Sequence, residues 1–345
     1  MDKRVLVTGG MGYIGSHTVV ELQEAGYEVL IVDNLSNSEA SVKNGIEAIT
    51  GKKVEFEQVD CCDYDALDKV FERFVPQSVI HFAASKAVGE SVQQPLMYYR
   101  NNLNSLVNIL TAMRKHGAEN IVFSSSCTVY GQAEKLPVTE QTPRREATSP
   151  YGNTKHICED ILRDSVAAYG DFKVIALRYF NPIGAHPSAL IGELPRGVPN
   201  NLIPFVTQTA AGIREQLSVF GDDYNTPDGS CIRDYINVVD LAKAHIAALD
   251  RMREARMKEP FEVFNVGTGN GVSTLEIVRT FEKVNNLKLN YKIAGRRAGD
   301  IEAVWADPSY ANNELGWKAE ATLEDTLRSA WNWQKHLNEV KTDLK

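Results

Sequence analysis

The chain has 345 residues, 43% of them hydrophobic and 24% charged, and its formal net charge is -8. This composition is typical of a globular protein and excludes intrinsic disorder, while an acidic chain without Lys/Arg clusters argues against a nucleic-acid partner. The five cysteines and seven histidines lack the spacing of a disulfide framework or a zinc site, and no segment predicts a signal peptide or membrane span. We therefore expect a cytoplasmic protein with reduced thiols and no metal.

Short apolar runs alternate with longer amphipathic stretches through the first half of the chain. The predicted strands are residues 4–7, 29–32, 54–58, 78–82, 120–124 and 173–178. The predicted helices are residues 13–25, 64–74, 95–115 and 151–169. This alternation predicts an α/β fold, a Rossmann-type doubly wound parallel sheet whose ligand lies beyond the carboxyl ends of the strands.

The second half of the chain has a different texture, with proline and glycine crowded into residues 181–204 and 220–230. Long loops of this kind are uncommon unless they bind a ligand. We predict a Rossmann domain over residues 1–180 and a smaller C-terminal α/β lobe over residues 181–345 that binds the substrate, with some of its strands and helices returning to the Rossmann core.

Three glycines follow the first predicted strand at intervals of three residues: Gly9, Gly12 and Gly15. Glycine lets the backbone approach a pyrophosphate, and the following helix N-terminus favours its negative charge. A tight strand-to-helix turn is the alternative. Asp33 ends the next strand, where a carboxylate accepts hydrogen bonds from an adenosine ribose, and residues 34–38 contain no Arg or Lys to bind a 2′-phosphate. The pattern favours NAD over NADP.

The spacing Tyr-x-x-x-Lys occurs at Tyr151/Lys155 and again at Tyr169/Lys173. Ser149 and Pro150 form a helix-start signal that places the first pair on one helical face, whereas the second pair spans a predicted helix end. A lysine one turn away is expected to lower the pKa of the tyrosine, making it a general base. The hydroxyl of Ser126, in the serine run at the end of the fifth strand, is a candidate partner, although a polar strand end would also explain it.

Several longer motifs resemble the extended short-chain dehydrogenase/reductase superfamily. They are Thr8-Gly-Gly-Met-Gly-Tyr-Ile-Gly15, Ser124-Ser-Ser-Cys-Thr-Val-Tyr-Gly131 and Tyr151-Gly-Asn-Thr-Lys155. Further segments, at residues 88–92, 178–187, 199–204 and 233–238, resemble the UDP-galactose 4-epimerase family. The resemblance covers residues 4–336 and implies an NAD-dependent 4-epimerase that acts on UDP-hexoses through a 4-keto intermediate. In that family Tyr151 exchanges the proton of the sugar 4-hydroxyl, Lys155 assists, and Ser126 bridges the two oxygens.

The resemblance also implies the residues of both binding sites. Those expected at the cofactor, besides the catalytic three, are Gly9, Gly12, Tyr13, Ile14, Gly15, Asp33, Asn34, Leu35, Ser36, Asn37, Ser38, Asp60, Cys61, Phe82, Ala83, Ala84, Lys86, Asn101 and Phe180. Those expected at the UDP-sugar, besides Ser126 and Tyr151, are Lys86, Asn181, Asn201, Leu202, Ser218, Val219, Phe220, Arg233, Arg297, Asp300 and Val304. It further implies a homodimer formed through residues 95–115 and 151–169.

Two departures narrow the expected activity. Val304 stands where family members restricted to unacetylated hexoses carry a tyrosine, which implies that UDP-GlcNAc and UDP-GalNAc are also accepted. Cys127 and Thr128 stand where 4,6-dehydratases carry two acids and decarboxylases keep a glutamate. Those enzymes, and a non-catalytic NAD-binding regulatory protein, are the alternatives.

Overall fold

A seven-stranded parallel sheet forms the centre of the computed structural model, which describes residues 3–297 and 299–343 and side chains as far as residue 340. Its strand order is β10-β6-β5-β4-β1-β2-β3. These strands are β1 (Arg4–Thr8), β2 (Glu28–Val32), β3 (Glu55–Glu57), β4 (Ser78–His81), β5 (Asn120–Ser126), β6 (Lys173–Tyr179) and β10 (Phe261–Val266). All pairs are parallel, so the carboxyl ends of the strands share one edge of the sheet.

Helices cover both faces of this sheet, which is why its strands are continuous apolar runs. The helices of the chain are α1 (Tyr13–Glu24), α2 (Val42–Thr50), α3 (Tyr64–Phe74), α4 (Val88–Gln93), α5 (Pro95–His116), α6 (Pro150–Tyr169), α7 (Leu202–Ala210), α8 (Val238–Arg253), α9 (Thr274–Asn285), α10 (Ser309–Glu314) and α11 (Leu323–Asp343). One core cluster lies between the sheet and α1, α2 and α8, and the other lies under α3, α5 and α6.

The second half of the chain adds two small sheets. They consist of β7 (Asn181–Ile183), β8 (Leu217–Phe220), β9 (Ile232–Asn237), β11 (Gly271–Ser273), β12 (Tyr291–Ala294) and β13 (Ala303–Val304). β9 pairs with β7, β11 and β13, and β8 pairs with β12. Two elements of this half return to the Rossmann core. β10 pairs with β6 in the large sheet, and α8 packs beside α1.

The structure confirms the predicted Rossmann-type fold and every predicted element of the first half, and no end of these elements shifts by more than two residues. The helices α2 and α4 were not predicted. α2 lacks a side-chain cap, because Ser41 adopts a helical conformation and makes no capping hydrogen bond, and α4 has only six residues. Within the described residues no helix has the length and hydropathy needed to cross a bilayer, and no group of three potential metal ligands occurs.

Candidate active site

The predicted glycine turn joins β1 to the first turn of α1. Gly9 has a φ of +70°, and a Cβ atom there would lie 2.8 Å from the Ala83 backbone nitrogen. A Cβ on Gly15 would lie 2.3 Å from the Gly9 carbonyl oxygen. Only glycine fits both positions, so the backbone closes tightly and leaves the N-terminus of α1, capped by Gly12, without a side chain over it. This geometry suits a pyrophosphate.

Asp33 lies directly beyond β2, beside that turn. Its carboxylate accepts hydrogen bonds from the backbone nitrogens of Met11 at 3.1 Å and Leu35 at 2.8 Å, and from the Ser38 hydroxyl at 2.9 Å. These donors fix a carboxylate at the carboxyl edge of β1 and β2, where a ribose hydroxyl could also donate to it. The structure thus brings the glycine turn and the predicted ribose acceptor together.

The loop after β2 and the loop after β3 also meet. Asn34 donates a hydrogen bond to Asp60 over 3.1 Å. Asp60 lies three residues beyond β3 and also accepts from the backbone nitrogen of Cys62 at 2.8 Å. Cys61 is buried in the core, so its backbone alone is available to a ligand. Ser36 and Asn37 are exposed on the first loop.

The remaining predicted cofactor residues surround the ends of β4 and β6. Phe82, Ala83 and Ala84 follow β4 and are partly buried, and Phe180 follows β6 and is buried. Lys86 lies 5.9 Å from the centre of the Tyr13 ring. Of the two further predicted residues, Ile14 lies in the first turn of α1, and Asn101 in α5 donates to the Ser85 hydroxyl at 3.3 Å.

The start of α6 presents the predicted catalytic tyrosine and lysine. The Ser149 hydroxyl accepts a hydrogen bond from the Gly152 nitrogen at 3.2 Å, and Pro150 occupies the first turn, as the sequence predicted. The Lys155 ammonium lies 5.9 Å from the centre of the Tyr151 ring. Both side chains face the end of β5, where Ser126 interacts with the Tyr151 phenol.

The expected lowering of the tyrosine pKa is not what the protein alone produces. Burial of the phenol raises the pKa of Tyr151 to about 12, and the hydrogen bond from Ser126 offsets only part of this effect. The Lys155 ammonium donates to the Ser124 carbonyl oxygen at 2.6 Å and lies over the Phe123 ring. The prediction considered charge proximity and neglected desolvation.

Lys155 should give a distinctive pH dependence of stability. Burial lowers the pKa of its ammonium from 10.5 to about 8. Between these values the unfolded chain binds more protons than the folded chain, so stability rises with pH. From pH 7.5 to 9.5 the unfolding free energy of the wild type should rise by about 1 to 2 kcal/mol relative to Lys155→Met. Urea unfolding tests this, with the exposed Lys173→Met as control, and parallel pH curves for wild type and Lys155→Met would refute it.

Four of the predicted substrate residues converge at the small sheets. Arg233 and Arg297 both point their guanidinium groups to Asp300. The Arg297 group lies 2.8 Å and the Arg233 group 4.0 Å from the same carboxylate oxygen. The Arg297 guanidinium also lies over the Phe220 ring, 5.5 Å from its centre. Two arginines and an aromatic ring form a cation-rich surface suited to a diphosphate next to a base.

The other predicted substrate residues of this half of the chain lie in the two small sheets and at the start of α7. Asn181 pairs with Tyr235 between β7 and β9, Asn201 precedes α7 and donates to Glu193 at 2.6 Å, and Leu202 begins α7. Ser218 and Val219 lie in β8. Val304, in β13, is only 3% exposed and packs in a cluster with Phe180, Val129, Tyr130, Val138 and Ala306.

Sequence reasoning missed Glu193, which lies between the two sets of predicted residues. Its carboxylate lies 3.8 Å from the Lys86 ammonium and accepts from Asn201, and its carbonyl oxygen accepts from the Trp333 indole at 2.9 Å. No spacing or helix signal marks a single acid in an irregular loop. Only the fold reveals that it touches a candidate cofactor residue and a candidate substrate residue.

A buried ion pair supports the catalytic helix from behind. The Arg178 guanidinium of β6 donates to both oxygens of Glu159 in α6, at 2.9 and 2.6 Å, and to the Tyr130 hydroxyl at 2.9 Å. Glu159 also accepts from the Ser125 hydroxyl at 2.6 Å. Although burial alone would raise the pKa of Glu159, Arg178 lowers it, so the carboxylate stays charged inside the protein.

Comparisons with known proteins match nearly the whole chain to a family model and to named relatives. Residues 6–330 match the family model described as GDP-mannose 4,6 dehydratase. The UDP-glucose 4-epimerase of Dictyostelium discoideum is 52% identical over 334 residues, 97% of this chain and 96% of that protein. A crystal structure of UDP-glucose 4-epimerase from Bifidobacterium longum, in complex with NAD+ and UDP, is 48% identical with a TM-score of 0.93, covering 96% of this chain and 98% of that one.

A third relative has a wider named substrate range. The UDP-Glc/GlcNAc 4-epimerase of Campylobacter jejuni is 36% identical with a TM-score of 0.83, over 97% of this chain and 99% of that one. Identity near one half over nearly the full length confirms the family inferred from the motifs, and with it the fold and the enzyme class. The chain therefore belongs to the UDP-glucose 4-epimerase family of extended short-chain dehydrogenases/reductases.

Proposed function

We propose that this protein is an NAD-dependent 4-epimerase that interconverts UDP-galactose and UDP-glucose. The observation that carries the proposal is the trio of Ser126, Tyr151 and Lys155, which meets on the same sheet edge as the glycine turn and Asp33. The residues present fit a dinucleotide, because two glycines leave no room for a Cβ atom and a fixed carboxylate faces the ribose position.

In this reaction Tyr151 takes the proton from the sugar 4-hydroxyl and later returns it. The Ser126 hydroxyl bridges the sugar oxygen and the Tyr151 oxygen or relays the proton between them. Bound NAD supplies an acceptor for the C4 hydride and a positive charge that favours phenolate at Tyr151. The Lys155 ammonium would hold the hydroxyls of the nicotinamide ribose, and its own positive charge would also favour the phenolate. Arg233 and Arg297 would hold the diphosphate while the 4-keto sugar turns, so that either face of its C4 could be presented to the cofactor.

The dehydratase and decarboxylase alternatives lack their acid. Cys127 and Thr128 occupy the relevant positions, and burial raises the pKa of the Cys127 thiol to about 12, so neither side chain can serve as a carboxylate would at neutral pH. The matching family model is described as a dehydratase, whereas the relatives that are about half identical over nearly the full length are named as 4-epimerases. A purely regulatory role gains no support, since the catalytic trio is intact.

Incubation with UDP-galactose without added NAD provides the direct test. We expect NMR of the anomeric protons to show UDP-glucose at equilibrium with UDP-galactose, because the cofactor is regenerated in each cycle. Acid extraction of the purified protein should yield NAD. No exchange of the sugar signals, with added NAD and with a folded protein, would contradict the proposal.

We also propose that the pocket accepts UDP-GlcNAc and UDP-GalNAc. Val304 is a small side chain beside Phe180, at the position where restricted relatives carry a tyrosine, and a relative 36% identical is named for UDP-Glc and UDP-GlcNAc. Val304→Tyr should lower the turnover of the acetylated sugars relative to UDP-galactose by at least about tenfold, because the ring would occupy the acetamide space. Val304→Ala is the matched control and should keep both activities. Equal rates for both sugars in Val304→Tyr would contradict the assignment.

A homodimer formed through α5 and α6 is a further part of the proposal. Leu96 is 81% exposed and Val107 is 45% exposed. They lie about three turns apart on one face of α5. Exposed apolar side chains that share a helix face are typical of a surface that a second subunit covers. Light scattering should give twice the mass of 38.3 kDa.

The five free cysteines agree with the cytoplasmic location that the sequence predicts.

A further inference from the structure

A buried tyrosine and histidine lie behind the catalytic trio and take no part in the reaction as described so far. Tyr179 ends β6, is 5% exposed, and its hydroxyl lies 2.5 Å from Nε2 of His245 in α8. His245 is 0% exposed, and its Nδ1 lies 2.9 Å from the Leu241 carbonyl oxygen. The two buried groups are therefore hydrogen-bonding partners of each other.

The direction of these hydrogen bonds follows from the partners. The Leu241 carbonyl oxygen can only accept, so the hydrogen lies on Nδ1 of His245. Burial lowers the pKa of His245 to about 4, so the ring is neutral and its Nε2 accepts. The Tyr179 hydroxyl therefore donates to His245 and is left with an oxygen that accepts.

That oxygen meets the strand end that holds the catalytic lysine. The Ser124 side chain also interacts with the Tyr179 hydroxyl, and because the Tyr179 hydrogen is committed to His245, a hydrogen bond between the two would have Ser124 as its donor. The carbonyl oxygen of the same Ser124 accepts the Lys155 ammonium at 2.6 Å. The carbonyl oxygen of Ser124 is thus held by the catalytic lysine, and its hydroxyl lies beside the tyrosine that bonds His245.

His245 also contacts a residue of the candidate cofactor site. Its ring centre lies 4.8 Å from that of Phe82, which follows β4, and 5.4 Å from that of Tyr179. One imidazole therefore packs between residues at the ends of β4 and β6, the two strands that flank β5 and its Ser126.

We propose that His245 is a positioning residue for the epimerase reaction. In its neutral form, with the hydrogen on Nδ1, it orients Tyr179 and through it Ser124, so that the Lys155 ammonium is held where Tyr151 needs its charge. The inference rests on the proposed 4-epimerase function. It differs from a histidine that only fills the core, because a core histidine would affect stability without a selective effect on turnover.

Four variants test this role. His245→Leu removes the acceptor, Tyr179→Phe removes the donor, their double mutant removes both, and His245→Gln places an amide oxygen near the position of Nε2. Leu249→Ala is the matched control, because Leu249 lies one turn along α8, is equally buried, and makes no polar contact. For each variant, kcat and KM with UDP-galactose, the NAD content after gel filtration and the melting temperature are measured.

We expect His245→Leu and Tyr179→Phe each to lower kcat by about 5- to 50-fold, the effect of one or two misplaced hydrogen bonds. KM and NAD content should change less than about twofold, the double mutant should be no slower than either single mutant, and His245→Gln should recover most of the turnover. Leu249→Ala should melt earlier but keep its kcat.

Other outcomes would overturn the inference. A His245→Leu enzyme as fast as Leu249→Ala, or additive losses in the double mutant, would make His245 a packing residue only. If His245→Leu does not fold, Tyr179→Phe decides, because it removes one oxygen atom and a normal kcat there would refute the role. A wild-type chain that binds NAD but does not epimerise would refute the proposed function instead.

Discussion

Tyr151→Phe is expected to lower the turnover of UDP-galactose by about 10² to 10⁴, or about 3 to 5 kcal/mol of activation free energy, as for the loss of a general base. Phenylalanine keeps the ring and its packing but removes the oxygen that bonds Ser126 and exchanges the proton. Stopped assays at saturating substrate, with bound NAD measured in the same preparation, separate a loss of chemistry from a loss of cofactor.

The sequence offers a matched control for this substitution. Tyr169 and Lys173 repeat the spacing of Tyr151 and Lys155, but Gly170, with a φ of +69°, ends α6 between them, and Tyr169 is 50% exposed. Tyr169→Phe should therefore keep full turnover. Near-normal turnover in Tyr151→Phe, or an equal loss in both variants, would remove Tyr151 from its assigned role.

Arg178→Met is expected to reduce the unfolding free energy by about 3 to 5 kcal/mol, because it leaves the Glu159 carboxylate buried without its partner. In the variant, burial would raise the pKa of Glu159 above its unfolded value. The folded state would then bind more protons than the unfolded state, so the loss should be larger at pH 8 than at pH 5. Urea unfolding at both pH values measures it.

The double variant Arg178→Met/Glu159→Met provides the control, because it removes both charges together. Replacing a buried ion pair by apolar side chains is often close to neutral, so much of the stability should return. A double variant as unstable as Arg178→Met, or a loss independent of pH, would show that the guanidinium acts through the Tyr130 contact and packing instead.

The first half of the fold could be predicted because its signals are local. Ser149 and Pro150 mark the start of α6, Gly9 and Gly15 mark a turn that only glycine fits, and the buried strands are apolar runs. These features act over a few residues, so spacing alone reveals them. The return of β10 and α8 to the sheet depends on contacts between residues far apart in the chain. The sequence predicted that some elements of the second half return to the Rossmann core, but not which ones.

The parts of the site that could not be predicted depend on such distant contacts. Tyr179 and His245 meet across 66 positions, and Glu193 and Lys86 meet between two loops. The direction of the Tyr151 pKa shift was wrong because desolvation depends on every atom around the phenol, which no pattern of four residues records. Val304 shows the intermediate case, since its identity is evident from the sequence and its burial is not.

The return of β10 to the edge of β6 has a consequence for how the protein can be divided. A fragment ending near residue 180 would leave β6 as an open edge with its backbone groups unpaired, and would also lose the helix that covers α1. Such an edge invites aggregation. We therefore expect the nucleotide-binding half to be insoluble when expressed by itself, and split or shuffled versions of the enzyme to require junctions beyond Val266.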